Sequence, residues 1–82
     1  MTQKIGDVIH YYDKIDVAII RLTDPISCGD KVKFARGGED LFDQEVDSIQ
    51  IEHQSVDSAQ KGDEIGIKVT QKLKEGAEVY KE

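Results

Sequence analysis

Two histidines, a group of carboxylates, one cysteine and a recurring glycine-aspartate pair are the features of this 82-residue chain that could do chemistry. His10 and His53 are possible metal ligands, but neither has a second ligand at a metal-binding spacing. Glu52 adjoins His53, yet neighbouring residues of an extended chain point to opposite faces. Asp43, Glu45 and Asp47 share parity, with Asp40 close by, and form an acidic row whose oxygens suit weak binding of Mg²⁺ or Ca²⁺. A solvated strand face accounts for the same row without a metal. Cys28 has no candidate base beside it and reads as a small apolar filler. No serine or cysteine sits in a nucleophile elbow.

The glycine-aspartate pairs admit two readings. Successive backbone N–H groups at such a turn can cradle an anion. Against that, the aspartate repels a phosphate, and no helix start follows. The other reading is punctuation: glycine takes positive φ, aspartate closes the turn on nearby backbone, and an apolar residue then opens a strand. Ile5-Gly6-Asp7-Val8-Ile9, Cys28-Gly29-Asp30-Lys31-Val32-Lys33-Phe34 and the long run from Lys61 to Val69 follow this plan, and Glu75-Gly76-Ala77-Glu78-Val79 repeats its glycine and strand start with alanine in place of the aspartate. Gly37-Gly38 lacks a phosphate-loop pattern around it and reads as part of a hairpin loop, Arg36 to Asp40.

These groups must be positioned by a small framework. At this length one domain, residues 1–82, is expected. Such a chain buries only about 60–65% of the surface it exposes unfolded, so its core must be compact. There is no Trp, and aromatic content is 6%, so aliphatic side chains must fill that core. The net charge of −6 opposes a general affinity for nucleic acid. Lys31, Lys33 and Arg36, and again Lys68, Lys72 and Lys74, would make a basic face only if the fold brought the two strings together. A single cysteine fits a reducing compartment. Met1-Thr2-Gln3-Lys4 is unlike a signal peptide, and no apolar run approaches about 18 residues, so a cytoplasmic protein without membrane contact is expected.

Taken in order, a first strand runs from Ile5 to Tyr12, with Val8, His10 and Tyr12 on one face and Ile9 and Tyr11 on the other. A polar turn, Asp13 to Asp16, leads into an antiparallel second strand, Val17 to Thr23, apolar on both faces as a central strand would be. Asp24-Pro25 ends it. A third strand after Asp30 turns Val32 and Phe34 inward. A long fourth strand, about Leu41 to His53, slips its period near Asp47-Ser48, where a bulge is expected. Ser55 to Lys61 is a loop or a single helical turn capped by Ser55 or Asp57, with Val56 and Ala59 tucked under the barrel. A fifth strand points Ile65, Ile67 and Val69 inward. Gln71 to Gly76 is a polar connection, and Glu78 to Lys81 a last short strand. The expected fold is therefore all-β: a small, closed, six-stranded antiparallel barrel of Greek-key type. A barrel of this size is expected to offer little concavity, and no activity of its own.

The runs Val46-Asp47-Ser48-Ile49-Gln50-Ile51 and Ser55 to Ile67, the latter with its Ala59-Gln60-Lys61-Gly62-Asp63 turn, resemble the second domain of translational GTPases such as elongation factor Tu. Ile26 to Val32 is similar to that family's earlier valine-glycine-aspartate turn, and Glu75 to Val79 to its closing turn. The same series also resembles the small barrel at the C-terminus of collagenase-like peptidases, which are linked to RNA modification. The resemblance implies a translation-type β-barrel. It does not imply GTPase activity, since no phosphate loop is present, and Asp13-Lys14-Ile15-Asp16 replaces the family's glycine-rich first hairpin.

The expectation is a non-catalytic module, without cofactor, that binds a protein or ribonucleoprotein linked to translation, with direct nucleic-acid contact weak if present. The alternatives are an accessory barrel acting in trans with a peptidase-like or RNA-modifying enzyme, and a weak binder of divalent metal. His10, Tyr11 and Tyr12 are the expected contact patch, because tyrosine suits interfaces.

Overall fold

In the computed structural model of this chain, residues 3–52 and 54–81 are described. The strands are β1 (Gln3–Tyr12), β2 (Val17–Leu22), β3 (Ile26–Ser27), β4 (Lys31–Arg36), β5 (Glu39–Glu45), β6 (Ile49–Ile51), β7 (Gln54–Val56), β8 (Ser58–Ala59), β9 (Glu64–Lys68) and β10 (Glu78–Lys81). They form an eight-stranded sheet in the order β5-β4-β10-β1-β2-β9-β6-β7, with β3 and β8 paired as a separate ribbon. Every pairing is antiparallel. The all-β expectation holds. The closed six-stranded barrel does not: the main sheet has eight strands, and among the described residues no backbone ladder joins β5 to β7.

The predicted fourth strand is the cause. It is not one bulged strand. The chain leaves β5 at Glu45, passes through Val46, Asp47 and Ser48, and resumes as β6 at the far side of the sheet. Val46 pairs away from both strands: its N–H donates to Asp30 O at 2.8 Å, and its carbonyl accepts from Gly29 N at 2.8 Å. Its side chain is buried. The slipped period at Asp47-Ser48 marked this crossing. The stretch expected as a loop or helical turn, Ser55 to Lys61, instead supplies parts of β7 and β8, so Ser55 and Asp57 cap no helix. Ala59 is buried and Val56 packs on the core, as expected.

β1 departs from simple alternation. Its register jumps between Lys4 and Gly6 against β10, and between Val8 and His10 against β2. Each bulge adds a residue and flips the parity. Ile5, Val8 and Tyr11 therefore face the core at a spacing of three, while His10 and Tyr12 point outward, apart from Val8. Gly6 is not a turn glycine. It lies inside β1, where a Cβ would come within 2.7 Å of both Arg21 O and Ile20 Cγ2. β2 is central, as read, between β1 and β9. Ala18, Ile20 and Leu22 are buried on its inner face, and Val17 and Ile19 are half-buried on its outer one. Ile65, Ile67 and Val69 join them from the chain after Gly62-Asp63. Gln71 to Gly76 is less polar than expected, since Leu73 is buried.

The turns at Gly29-Asp30 and Gly62-Asp63 follow the glycine-aspartate plan. Gly29 (φ 93°) and Gly62 (φ 92°) hold the left-handed position. Asp30 and Asp63 each accept, at 2.9 Å, the backbone N–H three residues earlier, from Ser27 and Gln60. Gly37 and Gly38 both have positive φ in a two-residue hairpin turn between β4 and β5, the geometry that glycine pairs favour.

A side chain ties the edge strand β5 to the end of β9. Gln44 on β5 donates from Nε2 to Lys68 O at 2.9 Å, and its Oε1 accepts from Thr70 N at 2.9 Å. A glutamine amide carries the same donor and acceptor as a peptide group, so it replaces one rung of a missing ladder.

Candidate functional site

The anion-nest reading fails on the donors. Cys28 N, Gly29 N and Asp30 N donate to Asp57 O, Val46 O and Ser27 O respectively. Gly62 N, Asp63 N, Gly76 N and Ala77 N are likewise bonded to carbonyls. Cys28 itself is exposed, not a core filler. Its place at the second position of a surface turn directs its side chain outward, with Sγ 3.8 Å from Val56 O.

The acidic and basic rows are matched to each other. In the β4–β5 register Lys31 stands opposite Glu45, Lys33 opposite Asp43 and Arg36 opposite Glu39. Lys33 Nζ also lies 3.5 Å from Asp40 Oδ2. Opposite charges facing across a strand pair stabilise the hairpin modestly and reduce its field toward phosphate or a cation. Among the described residues no three His, Cys, Asp or Glu side chains gather as a metal site. His53, one of the two histidines considered for metal, lies outside the described residues.

The three residues expected to form a contact patch are divided. Tyr11 is half-buried on the core, and its hydroxyl donates to Asp16 Oδ1 at 3.1 Å. Burial, followed by that bond to Asp16, raises its pKa above the ordinary tyrosine value. His10 and Tyr12 lie together on the outer face, with ring centroids 4.4 Å apart in an edge-on arrangement. His10 Nδ1 is 2.8 Å from Glu75 Oε2.

Tyr12 borders a feature that sequence reasoning missed, a groove of about 810 Å³. Its apolar wall comes from Tyr12, Ile15, Val17, Ile19 and Ile51. Gly66 forms its floor, where a Cβ would lie 3.4 Å from Ile19 Cδ1 and Val17 Cγ1. Glu52, Asp63 and Glu64 supply charge. Tyr12 and Ile15 are 47% and 60% exposed, unusual for large apolar side chains gathered at one place. The apolar outer face of β2 was visible in the sequence. The strands that turn it into a groove were not, because β6 follows β5 closely in sequence yet lies beside β9, at the far side of the sheet from β5.

No protein-family model matches this chain. The C-terminal domain of a Geobacillus thermoleovorans protein classed with the U32 peptidases superposes with a TM-score of 0.87, covering 95% of this chain and 90% of that one at 24% identity. Its selenomethionine variant gives the same TM-score at 22% identity, covering 94% and 96%. The fold is that of a U32 peptidase C-terminal domain. In sequence, 77 residues are 34% identical to an uncharacterized protease of Methanocaldococcus jannaschii, covering 94% of this chain. The chain spans about a fifth of that relative, 19% of its length. These matches support the resemblance to the terminal barrel of collagenase-like peptidases. The resemblance to elongation factor Tu draws no support from them. Among the described residues no helix is long and apolar enough to cross a membrane.

Proposed function

We propose that this domain is an accessory docking module for a protease-like enzyme, contributing binding rather than chemistry. The observation that carries this reading is the 34% identity over nearly the whole chain to one fifth of a larger protease. The matched charge rows of β4 and β5 and the spent turn amides favour a role without phosphate or metal chemistry. The exposed apolar groove, with Tyr12 at its edge, gives the module a surface to dock with. The link to translation is not part of this reading.

Lysine-directed cross-linking in cells of the source organism, followed by mass spectrometry, tests it. Cross-links from this domain to a segment related to the remaining four-fifths of the Methanocaldococcus protease, on the same polypeptide or another, are the expected result. Cross-links confined to ribosomal or tRNA-bound proteins would return the translation reading and sink this one.

A further inference from the structure

The groove permits a narrower statement about what docks, which rests on the docking role above. We propose that it takes an extended peptide segment in which apolar residues flank a lysine or arginine. The apolar part follows from the wall of Tyr12, Ile15, Val17, Ile19 and Ile51. Glycine at 66 leaves the floor without a side chain, so a ligand backbone can approach the sheet closely.

The extended shape follows from how the strands part. β9 is registered with β2 through five residue pairs, Arg21↔Glu64 to Val17↔Lys68. Among the described residues it meets β6 only at Gln50↔Gly66. Beyond that pair, Ile51 and Glu52 on one side and Glu64 and Ile65 on the other line the groove. A segment lying along this split runs beside two strands, the setting in which extended peptides bind sheets.

The basic residue follows from charge. Glu52, Asp63 and Glu64 line the groove, and no lysine, arginine or histidine does so among the described residues. Arg21 offsets Glu64, with Nη2 2.9 Å from Oε2. Lys14 and Lys61 are near in sequence without lining the groove. Glu52 and Asp63 leave it acidic, on a chain whose net charge is −6. A second copy of the same chain carries the same net charge, so the complementary occupant is a basic, apolar segment from outside this domain.

The test is an NMR titration of the isotope-labelled chain with blocked peptides of alternating valine and lysine, or valine and glutamate. With the lysine peptide, the amide signals of Ile15, Ile19, Ile51 and Gly66 should move, and binding should weaken as salt rises. The glutamate peptide should leave them still. Ile15→Lys, at a site 60% exposed, and Glu52→Lys should each weaken binding about tenfold or more. Equal response to both peptides, movement confined to other faces, or no movement at millimolar peptide would overturn the assignment. If the lysine peptide binds here while the cross-links report no protease-like neighbour, the groove assignment stands and the docking role falls. If the cross-links report that neighbour and the peptide leaves the groove untouched, only the groove assignment falls.

Discussion

Asp63 and Gly62 show how single residues set this fold. The Asp63 carboxylate accepts the Gln60 N–H, and Gly62 takes a φ of 92° that a Cβ opposes. Asp63→Ala should cost about 1 kcal/mol for the lost bond, seen as a fall in melting temperature of roughly 4–8 °C for a domain of this size. Gly62→Ala should cost about 1–2 kcal/mol through backbone strain alone, since among the described residues nothing lies within 4 Å of the added Cβ. Gly6→Ala should fail for the opposite reason: φ there is ordinary, but Arg21 O and Ile20 Cγ2 fill the space, so the loss is about 1–3 kcal/mol of overpacking. Ionisation at high pH is also a residue-scale property. The Tyr80 hydroxyl donates to Glu78, and that bond, then desolvation, raises its pKa. A folded pKa above the unfolded value of about 10 gives stability that is present below pH 10 and lost as pH rises through the folded value. Unfolding should therefore become easier on the alkaline side. Glu78→Gln should move the phenolate absorbance transition of Tyr80 to lower pH.

At the scale of elements, the seam between β5 and the end of β9 is the informative place. One side chain, Gln44, spans it with bonds to Lys68 O, Thr70 N and Thr70 Oγ1. Gln44→Ala should lower stability by about 1 kcal/mol, because its bonds to Lys68 O and Thr70 N are lost and water takes their place at this exposed seam. Faster amide exchange in β5 than in β2 should accompany the loss, measured by hydrogen exchange, since β2 keeps ladders on both sides. The β4–β5 hairpin was legible beforehand from Gly37-Gly38 and the alternation of Val32 and Phe34. The β1 bulges were not: both faces of Ile5 to Tyr12 carry apolar residues, so no periodicity betrays a change of parity.

For the whole molecule, the question is which partners its surface admits. The net charge of −6 and the pairing of the β4 lysines with β5 carboxylates leave little field for a phosphate backbone. Titration with tRNA at low salt should show no binding in the micromolar range; tight binding that weakens steeply with salt would contradict this. Of the expected patch His10-Tyr11-Tyr12, His10 and Tyr12 share the outer face, Tyr11 turns toward the core, and a groove lies beside Tyr12.

The chain by itself determined that strands predominate, where most turns fall, and that Val32, Phe34, Ile65, Ile67 and Val69 turn inward, because glycine conformation and side-chain alternation are local. It also marked the outer face of β2 as apolar. Only the tertiary structure decided that the sheet has eight strands and stays open, that the lysine and carboxylate rows face each other, and that β6 walls a groove with β2 and β9. Those outcomes depend on which distant segments pair. The chain crosses from β5 to β6 at Val46 because Gly29 and Asp30, far earlier in sequence, hold that residue's backbone, and no local pattern records such a contact.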